Sequence, residues 1–502
     1  MLQRSRRRSV VAGTVAMLAL TACSTVASDS PDDVAAGVTT VTFRLWDEGA
    51  LLAYEESFDA FSATHQDIVV EVEHVPRAEY LSRGAADLRT GDMADIFWTD
   101  ASTLARHVDR GDVRSIEDVL GDHDEWEPAV ADLFTRDGEL WAVPQLWESV
   151  ALFVRTDLAT AAGVDPTALT WAPPRSLAAT GPTEGTTPGG AGEGASTGAP
   201  PGRTGTEGPN GAGTDADMPD ADGADADAAG PGDSGTDAPV PLPVDTLLPA
   251  ATALTRDAAG RTPADEDFDP AATVQYGFNA EAAPAVYRPF LAQNGADEEG
   301  RPLLASSAGV EASQYLVDLV NVHHVAPPAE QTNADPTLTR ELFAEGRLAL
   351  FQSSSADLAR VAEAATFGWE VAPPVAGPSG AVSAVDGVAA AVNADASSMD
   401  ATLRVLAWLG SADGQAALAG QGVAFPAAVR AQQAYIDYWA ARDVDVAPFV
   451  EAARGATVPA RLASHVGPDA GELTPVLRDM LTGAVPVAAA LTEAQATADA
   501  SG

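Results

Sequence analysis

The sequence predicts an α/β fold built on a parallel, doubly wound sheet. The first observation is an alternation of apolar and polar residues, which marks three short strands. The second is an apolar spacing of three and four residues, which marks two amphipathic helices between those strands. The third is their order, because strand, helix, strand, helix and strand follow one another within about 60 residues.

The predicted elements begin at residue 41. Val41, Phe43 and Leu45 alternate with other residues and predict the first strand, which ends at Trp46. Apolar residues at helical spacing from 51 to 61 then predict the first helix. The remaining predictions are strands at 68–72, 95–98, 349–351 and 388–392, and helices at 78–89, 244–255, 313–322, 402–409 and 432–441.

The N-terminal segment has the layout of an export signal. Arginines at positions 4 and 6–8 precede an apolar stretch at 10–20, which is shorter than the roughly 20 residues that a membrane span needs. The following Leu20-Thr21-Ala22-Cys23 contains the only cysteine and resembles a bacterial lipobox, whose thiol is acylated. We expect a lipoprotein signal peptide at 1–22, lipidation at Cys23 and a tether at 23–37. An ordinary signal with a chance cysteine is the alternative, and Sec and twin-arginine export both stay open.

The composition argues against some classes of function. The 73 acidic residues outnumber the 28 basic ones, and the net charge is −45. Such a charge repels phosphate backbones and anionic headgroups, so nucleic acid is not an expected partner. A single cysteine supports neither an intramolecular disulfide nor a cysteine-rich metal site. The length of 502 residues is enough for roughly two or three domains.

One internal segment has a composition unlike that of the rest of the chain. Residues 175–243 are rich in Gly, Ala, Pro and Asp, and no aromatic residue occurs from 172 to 267. Such a segment buries too little apolar area to offset the entropy of ordering it. We predict a disordered insertion. A calcium-binding loop is the functional alternative, but the spacing of the aspartates is irregular.

Motifs for catalysis are absent from the sequence. We find no G-x-S-x-G elbow, no Walker glycine loop and no H-E-x-x-H. His323 and His324 are adjacent and would point in different directions on a helix, so we interpret them as a surface or helix-end pair. We therefore expect a protein that is not an enzyme, with no catalytic residue, no metal and no cofactor. A glycosidase-type carboxylate pair stays open, because Asp and Glu are abundant.

Three tryptophans mark a candidate binding site. Trp46 and Trp98 end predicted strands, and Trp147 precedes another apolar run. Ligands of open α/β sheets bind beyond the carboxyl ends of strands, and a flat apolar ring suits the C–H face of a sugar. A carboxylate able to bind hydroxyl groups lies near each ring. The alternative is that these rings serve packing alone. The carboxylates are Glu48, Asp100 and Glu148.

Several longer segments together resemble bacterial extracellular solute-binding proteins of ABC importers, the family that contains the maltose-binding proteins. These segments include VTFRLWDEG, DIFWTDAS, QYGFN, ELFAEGRLALFQSS and VLAWLGSADGQAAL, and the match spans nearly all of 38–498. The resemblance implies a two-lobed periplasmic-binding-protein-like α/β fold with a hinge and an inter-lobe ligand cleft. It implies one lobe at 38–147 and 380–425 and a second at 150–375 and 428–498.

The resemblance also implies site residues. Relatives use aromatic residues at the positions of Trp46 and Trp98 and an acid at that of Glu148. Many have a tryptophan in the turn where this chain carries Ser354, so one stacking ring is missing. Ser354 and Asp386 complete the predicted set of ligand-binding residues.

These observations together predict a lipid-anchored receptor on the extracytoplasmic face of the cell membrane. It would capture a mono- or oligosaccharide and deliver it to the permease subunits of an ABC importer, and we expect it to be a monomer. One alternative is a binder of a non-sugar solute, such as a polyol, a glycerophosphodiester or an opine-like compound, with Arg44 or Arg288 available to bind an anion. A less favoured alternative is a surface glycosidase.

Overall fold

The computed structural model describes residues 37–120, 125–173, 244–461 and 470–499, and in the last range it describes side chains from residue 475. The predicted signal peptide, the predicted lipidation at Cys23 and the predicted insertion therefore lie outside the described residues. The described chain divides into two compact units. Unit 1 comprises 37–147 and Asp386–Asp443, and unit 2 comprises Glu148–Val385 and 444–499.

The described strands are short except for two. β6 and β13 are the long strands, and each contributes residues to both units. In chain order the strands are β1 (Thr39–Leu45), β2 (Ile68–His74), β3 (Ile96–Asp100), β4 (Thr135–Arg136), β5 (Glu139–Leu140), β6 (Ala142–Arg155), β7 (Arg256–Asp257), β8 (Thr273–Phe278), β9 (Asp297–Glu298), β10 (Arg301–Pro302), β11 (Leu348–Ser354), β12 (Trp369–Ala372), β13 (Val382–Val392), β14 (Phe425–Pro426) and β15 (Ala456–Pro459).

Helices follow most of these strands. In chain order they are α1 (Glu48–Thr64), α2 (Arg77–Thr90), α3 (Ala101–Arg110), α4 (Glu117–Leu120), α5 (Pro128–Ala131), α6 (Thr156–Ala162), α7 (Leu247–Leu254), α8 (Pro284–Gln293), α9 (Ser307–Asn321), α10 (Ala329–Ala334), α11 (Leu338–Ala344), α12 (Leu358–Ala364), α13 (Met399–Gly410), α14 (Ala412–Gly420), α15 (Gln432–Ala440), α16 (Ala447–Arg454), α17 (Ala470–Leu481) and α18 (Val487–Asp499).

The sheet of unit 1 has β1 at its centre. β1 pairs in parallel with β2 on one side and with β3 on the other, and β13 pairs antiparallel to β3. The side chains of Val41, Phe43 and Leu45 are fully buried, which matches their alternation in the sequence. Helix α1 begins at an Asp47 cap, whose carboxylate accepts the N–H of Ala50 at 3.1 Å. The carboxyl ends of the three parallel strands therefore meet at one edge of the sheet.

The sheet of unit 2 combines parallel and antiparallel pairs. β11 pairs antiparallel with β6 and parallel with β8, while β7 is antiparallel to β8. Helix α7 approaches β8 so closely that a Cβ at Gly277 would lie 2.0 Å from the carbonyl oxygen of Ala251, so only glycine fits there. The core beside this sheet includes Trp171, whose ring lies 5.0 Å from those of Phe290 and Tyr315. The carboxyl ends of β8 and β11 share one edge of this sheet.

The predicted α/β class is confirmed, and each predicted strand and helix corresponds to one in the structure. Several predicted boundaries are wrong: the first strand ends at Leu45 and not at Trp46, the helix predicted at 313–322 begins at Ser307, and the third strand does not end at Trp98 but continues to Asp100. Thr99 and Asp100 pair with Ala389 and Val388 of β13, and this long-range pairing extends the strand over two polar residues. Within the described ranges, no helix combines the length and apolar character needed to cross a bilayer.

Candidate functional site

Four side chains of unit 1 form an aromatic cluster: Trp46, Tyr54, Tyr80 and Trp98. The Trp46 ring contacts the rings of Tyr80 and Trp98, each at a centroid distance of 5.0 Å and nearly at right angles. The Tyr54 ring packs against Trp98 at 5.7 Å. Such edge-to-face contacts are favourable for aromatic pairs. Trp98 is only 1% exposed, whereas Trp46 is partly exposed, so Trp46 presents the accessible ring of the pair.

Hydrogen bonds hold the buried members of the aromatic cluster in place. The Trp98 Nε1–H donates to the Tyr54 hydroxyl at 3.2 Å, and that hydroxyl donates to Gln145 Oε1 at 3.0 Å. The Tyr80 hydroxyl donates to the Trp98 carbonyl oxygen at 2.5 Å. Burial raises the pKa of Tyr54 and of Tyr80, so both phenols stay neutral. The buried Trp98 ring therefore holds the partly exposed Trp46 ring in position.

The aromatic cluster lies where the parallel strands of unit 1 end. Trp46 directly follows β1, and Asp100 is the last residue of β3. Arg77 begins α2, three residues after the end of β2. Ligands of open α/β sheets bind outside the carboxyl ends of the strands, so this edge is the candidate binding surface of unit 1.

Two of the predicted carboxylates lie at this edge in different roles. Asp100 caps helix α3, and its Oδ1 accepts from the Thr103 N–H and from the Ser102 hydroxyl, each at 2.7 Å. Burial would raise the pKa of Asp100, but these hydrogen bonds, together with the charge of Arg77, lower it. Glu48 is the exposed first residue of α1. Both can therefore present negative charge beside the aromatic cluster.

Sequence reasoning missed Arg77. Its guanidinium carbon lies 5.6 Å from the centroid of the Trp46 ring, within the range of a cation–π contact. No local pattern distinguishes this arginine from the others on exposed helix faces. Its role depends on the parallel pairing of β1 and β2, which brings the start of α2 next to the end of β1.

The predicted residues of unit 2 form a hydrogen-bonded pair. The Ser354 hydroxyl donates to Glu148 Oε2 at 2.6 Å. Ser354 is the last residue of β11, and Glu148 is partly exposed in the middle of β6. The neighbouring Ser353 hydroxyl donates to Asp357 Oδ2 at 2.6 Å. The end of β11 is thus a polar edge that carries hydroxyl groups.

A buried carboxyl group, Glu281, follows the neighbouring strand β8. It accepts hydrogen bonds from Asn279 Nδ2 at 3.1 Å and from the Thr339 hydroxyl at 3.0 and 3.1 Å. Burial outweighs these bonds and raises its pKa to about 7. Sequence reasoning missed this group too, although the QYGFN segment ends two residues before it.

Trp147 and Asp386, the remaining predicted residues, have other surroundings in unit 1. The Trp147 ring is 1% exposed, stacks on Phe425 at a centroid distance of 4.5 Å and donates to the Pro426 carbonyl at 2.9 Å. Asp386 Oδ1 accepts the N–H of Gly387 at 2.8 Å. These contacts associate Trp147 with β14 and not with the aromatic cluster.

The two arginines considered for anion binding are paired within their own units. Arg44 forms ion pairs with Glu73 and Asp87, both at 2.7 Å. Arg288 is fully buried and pairs with Asp297 at 2.7 Å. Among the residues that the structure describes, no three acidic or histidine side chains are arranged to hold a metal ion.

Comparisons with protein families and with solved structures identify similar proteins. Two family models, each described as bacterial extracellular solute-binding protein, match residues 46–241 and 178–447. Among solved structures, the chain is similar to M. tuberculosis UspC at 34% identity and a TM-score of 0.69, covering 92% of this chain and 100% of that one. No match was found among curated proteins.

More distant structures share the fold. The ABC substrate-binding protein Lmo0181 from Listeria monocytogenes, in complex with cycloalternan, has 16% identity and a TM-score of 0.62, covering 92% of this chain and 98% of that one. The cyclic alpha-maltosyl-1,6-maltose binding protein from Arthrobacter globiformis has 17% identity and a TM-score of 0.62, covering 92% and 99%. The predicted two-lobed periplasmic-binding-protein-like fold class is thereby confirmed.

Proposed function

Because the chain belongs to the bacterial extracellular solute-binding protein family, we propose that it captures a sugar outside the cytoplasm and delivers it to an ABC importer permease. Binding of a solute and an extracytoplasmic location follow from the family. The sugar, the delivery step and the attachment to the membrane are the proposed part.

The observation that carries the sugar proposal is the partly exposed Trp46 ring at the strand ends of unit 1. An indole face offers an apolar surface to the C–H groups of a sugar ring. Asp100 and Glu48 offer carboxylates to its hydroxyl groups, and hydrogen bonds to charged acceptors are stronger than neutral ones. Trp98, fixed by its own hydrogen bonds, keeps the Trp46 platform rigid, which lowers the entropy lost on binding.

The ligands named for similar structures support the same class of compound. Lmo0181 is in complex with cycloalternan, the Arthrobacter protein is named for cyclic alpha-maltosyl-1,6-maltose, and a Listeria protein MalE is in complex with maltose. These proteins share the fold of this chain at low identity. We therefore propose a sugar as the ligand.

The membrane attachment is proposed from the N-terminal sequence. Cys23 follows a basic and then apolar segment, and an acyl group on its thiol would hold the mature protein at the membrane surface. With a net charge of −45, nucleic acid and anionic lipid headgroups are poor partners. We propose that the receptor acts as a monomer whose partners are the sugar and the permease.

We propose that binding occurs without turnover, because the matching family is one of binding proteins. The test is a panel of chromogenic glycosides incubated with the purified chain. No release of chromophore is expected from any of them. Release that depends on a carboxylate of this chain would support the glycosidase alternative instead.

The ligand class is tested by a thermal-shift screen of residues 24–502 against neutral sugars, with polyols and a glycerophosphodiester in the same plate. A ligand stabilises by RT ln(1 + [L]/Kd), which is about 2.7 kcal/mol at a hundredfold excess over Kd. We expect at least one sugar to raise the melting temperature. A shift caused only by polyols or the glycerophosphodiester would contradict the proposal.

A further inference from the structure

Within the part of the chain that the structure describes, the side chain of Arg77 has no hydrogen-bond acceptor. It is exposed at the start of α2, where it contacts the Trp46 ring and where its charge acts on Asp100. Arg83 on the same helix is different, because it pairs with Glu79 at 2.5 Å and with Asp87 at 3.4 Å. A guanidinium carries five N–H donors in a planar fork, and stacking on an aromatic ring limits its orientations. Arg77 therefore presents unused donors from a restrained position.

The strand topology places Arg77 beside the other residues of this sheet edge. β2, β1 and β3 are parallel neighbours in that order, so the residues that follow them are neighbours too. Arg77, Trp46 and Asp100 each lie at or just beyond the carboxyl end of one of these strands. Asp100 is a carboxylate with about four acceptor sites, so it can accept further hydrogen bonds beside those from Ser102 and Thr103. A hydroxyl group needs both a donor and an acceptor, and this edge supplies both beside an apolar ring.

The charges at this edge favour a neutral ligand. Asp47, Glu48 and Asp100 lie within two residues of Trp46 or Trp98 in the sequence, and among the described residues Arg77 is the arginine that stacks on the Trp46 ring. The carboxylates outnumber this cation, so the net charge here repels a phosphate or a carboxylate.

We propose that Arg77 is a ligand-contacting residue that donates hydrogen bonds to the hydroxyl oxygens of a neutral sugar stacked on Trp46. The inference rests on the proposed function and deepens it, since it assigns a specificity-determining residue on a helix for which the sequence predicted no site residue. Asp100 accepts from the same or an adjacent hydroxyl group. The ligand then has to carry hydroxyl groups at the edge of the ring that faces α2.

The test compares two substitutions and one control by titration calorimetry. Arg77→Met keeps an unbranched apolar side chain against Trp46 and removes every donor, whereas Arg77→Lys keeps the charge and loses the planar fork. Arg89→Met is the control, because Arg89 is exposed on the same helix and donates to Ala85 O of that helix. The probes are glucose, maltose, maltotriose and cycloalternan, with glucose 6-phosphate and glucuronate as anionic counterparts. Melting temperatures of all variants are measured in parallel.

For the neutral sugar that binds the parent, we expect Arg77→Met to weaken binding roughly tenfold or more, the loss of charge-assisted hydrogen bonds. The dissociation constant of Arg77→Lys should lie between those of the parent and of Arg77→Met. That of Arg89→Met should stay within about twofold of the parent's. Equal or tighter binding by Arg77→Met would overturn the inference and leave the sugar proposal intact. Binding of the anionic probes alone would overturn the neutral class. Failure of every sugar to bind the parent would overturn the proposed function, and the inference with it.

Discussion

The buried carboxyl group of Glu281 allows a test of the structure that needs no ligand. The perturbation is Glu281→Gln, which keeps the shape of the side chain and removes its ionisation. The carboxyl group is 8% exposed and is contacted by Asn279 and Thr339, and the nearby Asp357 adds negative charge. Each of these features bears on the cost of ionising this group in the folded protein.

The size of the expected change in stability follows from the pKa shift of Glu281. Burial raises the pKa of Glu281 from 4.5 to about 7 in the folded state. The folded protein therefore binds more protons than the unfolded chain between these values, so the stability present below pH 4.5 is lost as the pH rises towards 7. A separation of about 2.5 pKa units, at 1.36 kcal/mol per unit, corresponds to about 3 kcal/mol in total.

The assay is urea unfolding of the parent and of Glu281→Gln at about pH 5 and about pH 8, which bracket most of the titration. From pH 5 to pH 8, we expect the free energy of unfolding of the variant to rise by about 2 to 3 kcal/mol relative to that of the parent. Glu330→Gln, an exposed glutamate of the same unit, is the control and should follow the parent. If the free energies of unfolding of the parent and of Glu281→Gln differ by the same amount at both pH values, the reasoning is refuted.

Three further predictions concern other parts of the chain. Glu148→Gln removes a charged acceptor and should weaken sugar binding measured by calorimetry, and an unchanged dissociation constant would exclude Glu148 from the site. Cys23→Ala should release the protein from the membrane fraction or leave its signal uncleaved, and persistent detergent-requiring association would locate the anchor elsewhere. Deletion of 176–243 should leave the melting temperature unchanged, because Thr170 and Thr246 on its two sides are joined by a hydrogen bond of 2.9 Å. Loss of folding would show that the segment packs.

The fold of unit 1 was predictable because its signals are local. Alternation over a few residues specifies β1 and β2, and helical spacing specifies α1. The end of β3 was not predictable in the same way. Thr99 and Asp100 are polar and do not continue the apolar run, but they pair with β13, nearly 300 residues later in the chain.

The candidate site was predictable only in part. Trp46 and Trp98 follow from their positions relative to apolar runs, and the structure brings their rings together. Arg77 and Glu281 have no local signal, because their surroundings come from parallel pairings between distant segments. For Trp147, a local sequence signal did not predict the surroundings of the side chain. Its position before an apolar run is local, but its stacking on Phe425 depends on the pairing of β14 with β6.

The central claim is that the chain binds a sugar on the aromatic cluster of unit 1, and calorimetry of one substitution tests it most directly. Trp46→Ala is compared with Trp408→Ala, a partly exposed tryptophan of the same unit whose Nε1–H donates to Ser57 at 3.0 Å. We expect Trp46→Ala to weaken binding of the screened sugar by on the order of 2 kcal/mol, roughly thirtyfold, and Trp408→Ala to leave it unchanged. Unchanged affinity in Trp46→Ala, with the parent binding the sugar, would contradict the claim.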